Sequence, residues 1–125
     1  PGKLGVKTRK ITESYIDLWE EKLDLLFLIA PKRVDQATSL VSYYFKNKTY
    51  NGVKRVCNKI DKTGYYQGFC DLSMGAIFLE EGNIEKGMFL IKRAYDKGVL
   101  DTKEVDKETS EEIKLLISKY FTDKW

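Results

Sequence analysis

The sequence predicts an all-α fold, on the strength of three observations. The only prolines are Pro1 and Pro31, so nothing after Pro31 removes a helix donor. Apolar residues recur at steps of three and four, the spacing that lines one face of a helix. The apolar positions also coincide when the chain is shifted by 34 residues, as for Leu40 and Met74, Tyr44 and Phe78, Val56 and Leu90, and Cys57 and Ile91. We therefore expect about six helices, arranged as antiparallel helical hairpins in a single domain over residues 1–125.

The first predicted helix covers residues 11–30 and ends before Pro31, since the residue before a proline disfavours the helical conformation. A broad apolar stripe is formed by Tyr15, Leu18, Trp19, Leu23, Leu26 and Ile29. The run from Leu23 to Ala30 is strongly apolar, but it contains Asp24 and is much shorter than the roughly 20 residues that cross a bilayer. We interpret the run as the end of a core helix and expect no membrane span.

Two helical hairpins are predicted next, over residues 34–67 and 68–101. The first helix of the second hairpin carries Phe69, Leu72, Gly75, Ala76 and Leu79 at helical spacing. Asn83 is well suited to cap the following helix, and Gly98 can supply the left-handed turn that closes it. The first hairpin repeats this plan with helices over residues 34–46 and 50–60.

A last helix is predicted over residues 108–122. Thr109 and Glu112 have the spacing of a capping box. The apolar positions of this helix are Ile113, Leu116, Ile117 and Tyr120, and its charged face carries Glu111, Lys114 and Lys119. A terminal helix of this kind covers the last apolar edge of a helical array.

These residues resemble the tetratricopeptide repeat, a 34-residue helix-turn-helix with large, small and aromatic residues at set places. In the second hairpin the matching residues are Met74, Gly75, Phe78, Gly82, Gly87, Ile91 and Ala94. Asp71 departs from the family pattern, where a large aromatic is usual, and Val99 stands in place of the closing proline. Trp19, Leu23 and Leu26 before Pro31 resemble the second half of an earlier repeat. The alternative is an ordinary bundle of four or five helices.

Small residues are needed where two helix backbones approach closely. Gly75, Gly87 and Ala94 occupy the small positions of the second hairpin, so we expect its two helices to be in close contact there. Replacing Gly75 by leucine is expected to overpack this contact by about 1–3 kcal/mol.

The composition argues against an enzyme. The chain has no histidine, which removes the commonest general base and the commonest metal ligand. Its glycines do not form a phosphate-binding loop. Cys57 and Cys70 are interpreted as two buried thiols, with a redox pair as the less favoured alternative. We expect no catalytic residues, no cofactor and no metal site.

Nucleic acid is not expected as a partner. The net charge of +3 comes from 22 basic and 19 acidic residues, and the two signs are interspersed along the chain. Only four of the basic residues are arginine, the side chain that grips phosphate and guanine in two places.

The resemblance implies that the first helix of each repeat lines a concave groove that holds a partner polypeptide. The residues expected on this face are Thr38, Ser42, Phe45, Phe69, Leu72, Ser73, Ala76 and Leu79. Chaperone adaptors of the family bind carboxylate tails with lysines and asparagines, and Thr38, Ser42, Leu72 and Ala76 stand in those places. The apolar members of the face fit a partner helix. Two alternatives stay open: coverage by a terminal helix, and self-association.

The sequence therefore predicts a non-catalytic protein-interaction module or scaffold, whose partner is another protein or peptide. The alternatives are a homodimerising structural domain of a larger protein and, less favoured, a redox-sensitive or nucleic-acid-binding helical domain. The chain opens at Pro1 without an initiator methionine, so we interpret it as a processed chain or as a piece of a longer one; either can have lost a signal or anchor sequence, and we assign no compartment.

Overall fold

The protein is described by a computed structural model that covers the backbone of residues 2–103 and 105–124 and the side chains of residues 15–103 and 105–122. These residues form six α-helices and no strand, which confirms the all-α prediction. The helices are α1 (Gly2–Ile29), α2 (Thr38–Lys46), α3 (Tyr50–Lys62), α4 (Gly68–Glu80), α5 (Ile84–Asp96) and α6 (Lys107–Lys124). The chain divides into two compact units, residues 1–66 and 67–125. The single domain stays a prediction.

In the first unit, α2 and α3 form a helical hairpin against which α1 packs. The chain after α1 forms a 3-10 segment over Pro31–Ala37, with a break at Arg33 (φ −86°, ψ 31°). The predicted α-helix from residue 34 is therefore wrong in its start, since α2 begins at Thr38. Short 3-10 segments are common at helix entrances, where they satisfy backbone donors over a tighter turn.

Helix α1 is longer than predicted and uses a different face for the core. Its buried residues are Ile16, Leu23 and Phe27. Tyr15, Leu18 and Ile29 were expected in the inward stripe but are exposed, so that part of the prediction is wrong. The reason is that α1 is apolar on two opposite faces, and helical spacing alone does not say which of them is buried.

In the second unit, α4 and α5 form a hairpin with the predicted close contact. A Cβ atom on Gly75 would lie 3.0 Å from the carbonyl oxygen of Gly87, and one on Gly87 would lie 2.8 Å from the carbonyl oxygen of Gly75. Ala94 is completely buried. The prediction that small residues let these backbones approach closely is confirmed. Helix α6 packs on α5 and adds Ile117 to a core of Met88, Ile91, Leu100 and Ile117.

The ends of α5 follow the sequence prediction, whereas the start of α6 does not. The side chain of Asn83 accepts a hydrogen bond from the backbone N–H of Lys86 (3.4 Å), and Gly98 has a left-handed φ of 79°. Helix α6 begins at Lys107, and Asp106 accepts from the backbone N–H of Thr109 (2.8 Å) and from its hydroxyl (2.9 Å). The cap is thus Asp106, and the predicted capping role of Thr109 is wrong because Thr109 lies inside the first turn.

Most corresponding points of the two hairpins lie 34 residues apart in the chain, although α2 and α4 begin at Thr38 and Gly68. Helices α3 and α5 begin at Tyr50 and Ile84 and end at Lys62 and Asp96, and α2 and α4 end at Lys46 and Glu80. Left-handed backbone occurs at Lys48 and Gly82, and again at Gly64 and Gly98. The 34-residue period of the sequence therefore reappears in the helix ends and in the turns.

Within the part of the chain that the structure describes, no helix is both long enough and apolar enough to cross a membrane.

Candidate binding groove between α5 and α6

A groove of about 410 Å³ lies between α5 and α6 in the second unit. It is lined by Glu85, Phe89, Lys92, Arg93, Asp96, Tyr120 and Phe121. Three of these side chains are aromatic, and four are charged. The groove therefore combines an apolar surface with a polar rim, as protein-binding sites commonly do.

Phe89 is the most exposed large side chain of the groove, with 61% of its surface accessible. Its neighbours Met88 and Ile91 point into the core of the unit, where they are almost completely buried. Because successive residues of a helix point about 100° apart, the packing that buries Met88 turns Phe89 outward. Tyr120 and Phe121 complete the apolar wall, with ring centroids 5.0 Å apart in an edge-to-face arrangement.

The cations of the groove lie over its aromatic rings and are neutralised by carboxylates. The Nζ atom of Lys92 lies 5.7 Å from the centre of the Phe121 ring and 2.7 Å from Oδ1 of Asp96. The guanidinium of Arg93 lies 5.7 Å from the centre of the Phe89 ring. Together with Glu85, the lining carries two positive and two negative side chains. The groove thus has no excess of either charge.

Arg93 is held in place by a buried carboxylate of α4. Its Nε donates to Oδ2 of Asp71 at 2.8 Å and its second nitrogen to Oδ1 at 2.6 Å, a two-pronged pairing. Asp71 is only 5% exposed, whereas Arg93 reaches solvent. Asp71 is one of the two residues that depart from the tetratricopeptide pattern. In this chain it fixes the side chain that lies beside Phe89.

The residues predicted to bind a partner lie elsewhere. Thr38, Ser42 and Phe45 are half-buried on α2, and Phe45 packs 6.1 Å from the ring of Tyr50. On α4 the structure places Phe69, Leu72, Ser73, Ala76 and Leu79, all half-buried except Ser73, which is buried.

Two of the predicted residues, Leu72 and Leu79, pack against the core of the second unit, to which α6 contributes Ile117. None of the eight residues lines the α5–α6 groove. Their role in binding stays a prediction.

The first unit contains a polar cluster that connects its three helices. The carboxylate of Glu20 accepts from the hydroxyl of Tyr44 (3.1 Å) and from Nε of Arg55 (2.9 Å). Burial, and then the Glu20 charge, raise the pKa of Tyr44, while the hydrogen bond to Glu20 raises the pKa of Arg55. These shifts keep both groups in their protonated states. The cluster therefore holds α1, α2 and α3 together.

The cysteines differ from the sequence prediction. Both Cys57 and Cys70 are disulfide-bonded, and neither is a free thiol. The prediction of two buried thiols is wrong, because burial alone does not distinguish a thiol from a bonded sulfur. Among the described side chains, no group of three or more histidine, cysteine, aspartate or glutamate residues is placed to hold a metal ion.

The groove was not predicted because its lining residues lie in two segments, 85–96 and 120–121, that are more than 20 positions apart in the chain. One signal was present: Phe89 is a large apolar residue that falls outside the stripe of Ile84, Met88, Ile91 and Tyr95. Comparisons with known protein families, with curated protein sequences and with solved structures find no match for this chain. The function is therefore inferred from the geometry of the chain itself.

Proposed function

We propose that this chain is a non-catalytic protein-binding module of the tetratricopeptide type, and that its α5–α6 groove holds a short apolar segment of a partner polypeptide. The observation that carries the proposal is Phe89, a large aromatic side chain left 61% exposed in a groove with aromatic walls. Aromatic side chains of this kind are enriched at the energetic centres of protein interfaces.

The tetratricopeptide assignment is supported by the repeated geometry of the two hairpins. Their helix ends and left-handed turn residues recur at 34 positions, the length of that repeat. The contact between Gly75 and Gly87 has the close approach that the small residues of the repeat permit. An unrelated bundle of helices has no reason to repeat both its turns and its helix ends at one interval.

The occupant of the groove is expected to be apolar. Lys92 and Arg93 are already paired with carboxylates, so a charged partner would have to compete with Asp96 and Asp71. A small molecule fits less well, because small-molecule pockets bury about 70–90% of their ligand, whereas Phe89 stands on an open surface. A peptide that places one large apolar side chain against Phe89 and Phe121 avoids competition with the carboxylates and suits an open surface.

The proposal is tested with a displayed library of random peptides that is selected on the immobilised chain. Selected peptides are then measured by calorimetry against the wild type and the Phe89→Ser variant. Burying the exposed part of a phenylalanine is worth about 1.5–2 kcal/mol, so we expect the variant to bind roughly 10- to 30-fold more weakly. Because the groove charges are paired, added salt should change the affinity by less than about threefold.

The matched control is Leu115→Ser, which removes an equally exposed apolar side chain of α6 outside the groove. It should bind the selected peptides like the wild type. Equal binding by the wild type and Phe89→Ser, with both proteins folded, would show that the groove is not the site.

A further inference from the structure

Helix α1 carries a second apolar face on the side opposite its buried residues. Tyr15, Leu18, Lys22, Leu25 and Ile29 are all exposed and follow one another at alternating steps of three and four. We call these five residues the outer seam. Leu28, which is 80% exposed, lies along its edge. The spacing is that of the a and d positions of a heptad repeat, with Lys22 as the one charged member.

The outer seam lies on the longest helix of the chain. At 1.5 Å per residue, the 28 residues of α1 extend over about 42 Å. The helical backbone continues from Tyr15 back to Gly2. In the sequence, Leu4 and Ile11 precede Leu18 and Leu25 at the same interval of seven residues. A strict interval of seven favours pairing with another helix of the same period, because such seams stay in register along their length.

We propose that the outer seam pairs with the outer seam of a second copy of this chain, as a parallel two-stranded coiled coil. The exposed surface is large enough. Taking about 200 Å² for a fully exposed large side chain, the exposed apolar residues of this face present roughly 650 Å² per chain. Two copies would remove up to about 1,300 Å² from water, within the range of roughly 1,200–2,000 Å² that stable interfaces bury.

The charges at the middle of the seam complement those of an identical copy. In a parallel coiled coil, a residue at position a contacts the partner helix at position g, the residue directly before the partner's own position a. Lys22 at position a is preceded by Glu21 at position g. Each copy therefore brings its Lys22 beside Glu21 of the second copy, and the two-fold symmetry makes this ion pair twice. A buried lysine weakens such a coil but fixes its register.

The first measurement is the mass of the wild-type chain by sedimentation equilibrium, at concentrations up to about 0.1 mM. A dimer whose dissociation constant is micromolar is almost completely formed at that concentration. We expect twice the chain mass of 14.5 kDa. Leu18→Glu and Leu25→Glu should each restore the monomer mass and stay folded by circular dichroism, since both side chains are exposed within the chain. Leu115→Glu, on α6, is the matched control and should stay dimeric.

Three further variants separate this pairing from a general loss of apolar surface. Lys22→Leu should tighten the dimer by about tenfold or more, because it removes the one polar residue from position a. Lys22→Glu should weaken the dimer, and the double variant Glu21→Lys with Lys22→Glu should restore it, because the ion pairs then form with reversed signs.

A monomeric wild type at the highest concentration would overturn the proposal and assign the seam to another protein or to another segment of a longer chain. A dimer that survives both glutamate variants would overturn it as well, as would unfolding of those variants, which would make the seam part of the core. Failure of the double variant to recover would exclude the parallel register. The peptide-binding groove is unaffected by any of these outcomes, since α1 contributes no residue to it.

Discussion

Replacing Gly87 by alanine perturbs the contact between α4 and α5 at its tightest point. The added Cβ atom would lie 2.8 Å from the carbonyl oxygen of Gly75 and 2.9 Å from Cγ of Leu79. A backbone oxygen cannot rotate away as a side chain can, so the two helices must separate locally. Such overpacking costs about 1–3 kcal/mol. Alanine recovers about 1 kcal/mol through its higher helix propensity, which leaves an expected net loss of about 0–2 kcal/mol.

The assay is urea unfolding followed by far-UV circular dichroism, which gives the free energy of unfolding. Ser118→Ala, at an exposed position of α6, is the control and should be neutral or slightly stabilising. The double variant of Gly75→Ala and Gly87→Ala should lose less than the two single losses combined, because helices that have already separated accommodate the second methyl group. A Gly87→Ala variant that is about 1 kcal/mol more stable than the wild type would refute the close contact.

Two further predictions concern charged groups. Arg93→Met removes the guanidinium that neutralises buried Asp71 and should lower the free energy of unfolding in urea by about 2 kcal/mol. The loss is smaller than for a fully buried pair because Arg93 is partly exposed. Adding Asp71→Leu should recover most of this loss, and no recovery would contradict the role of the ion pair. The hydrogen bonds from Thr109, chiefly from its backbone N–H, lower the pKa of Asp106 below its ordinary value of 3.8. A lowered pKa in the folded state stabilises the protein above pH 3.8, and this contribution is lost as the pH falls through the folded value. Asp106→Ala should therefore lower the thermal midpoint more at neutral pH than below the folded pKa, where the protonated carboxyl is a weaker cap. Asp106→Asn keeps a neutral acceptor and should fall between the alanine variant and the wild type at neutral pH. Equal effects of the alanine variant at both pH values would contradict the contribution of the Asp106 charge.

The sequence was sufficient for the parts of the fold that depend on local chemistry. Asn83 caps α5 and Gly98 closes it as predicted, since a short polar side chain and a left-handed turn leave recognisable residues. Small residues at positions 75 and 87 likewise predicted a close helix contact. The predicted cap at Thr109 is wrong because Asp106, three residues earlier, is an equally good cap and starts the helix sooner.

The parts that depend on packing could not be predicted. Helix α1 is apolar on two faces, so spacing favoured Leu18 and Ile29 for the core, whereas Ile16 and Phe27 are buried. The candidate groove requires Phe89 of α5 and Phe121 of α6 to meet, and nothing in either segment specifies that contact. Asp71 appeared only as a departure from a family pattern, and its ion pair with Arg93 depends on the pairing of two helices.

The central claim is that a partner polypeptide binds in the α5–α6 groove, and amide chemical shifts of the labelled chain test it most directly. A selected peptide is titrated into the protein, and the perturbed amides are assigned to the sequence. We expect the largest shifts in residues 85–96 and 117–122, which surround Phe89 and Phe121. Shifts concentrated in residues 38–46 and 69–79, with α5 and α6 unperturbed, would exclude the groove and place the site on the face predicted from the sequence.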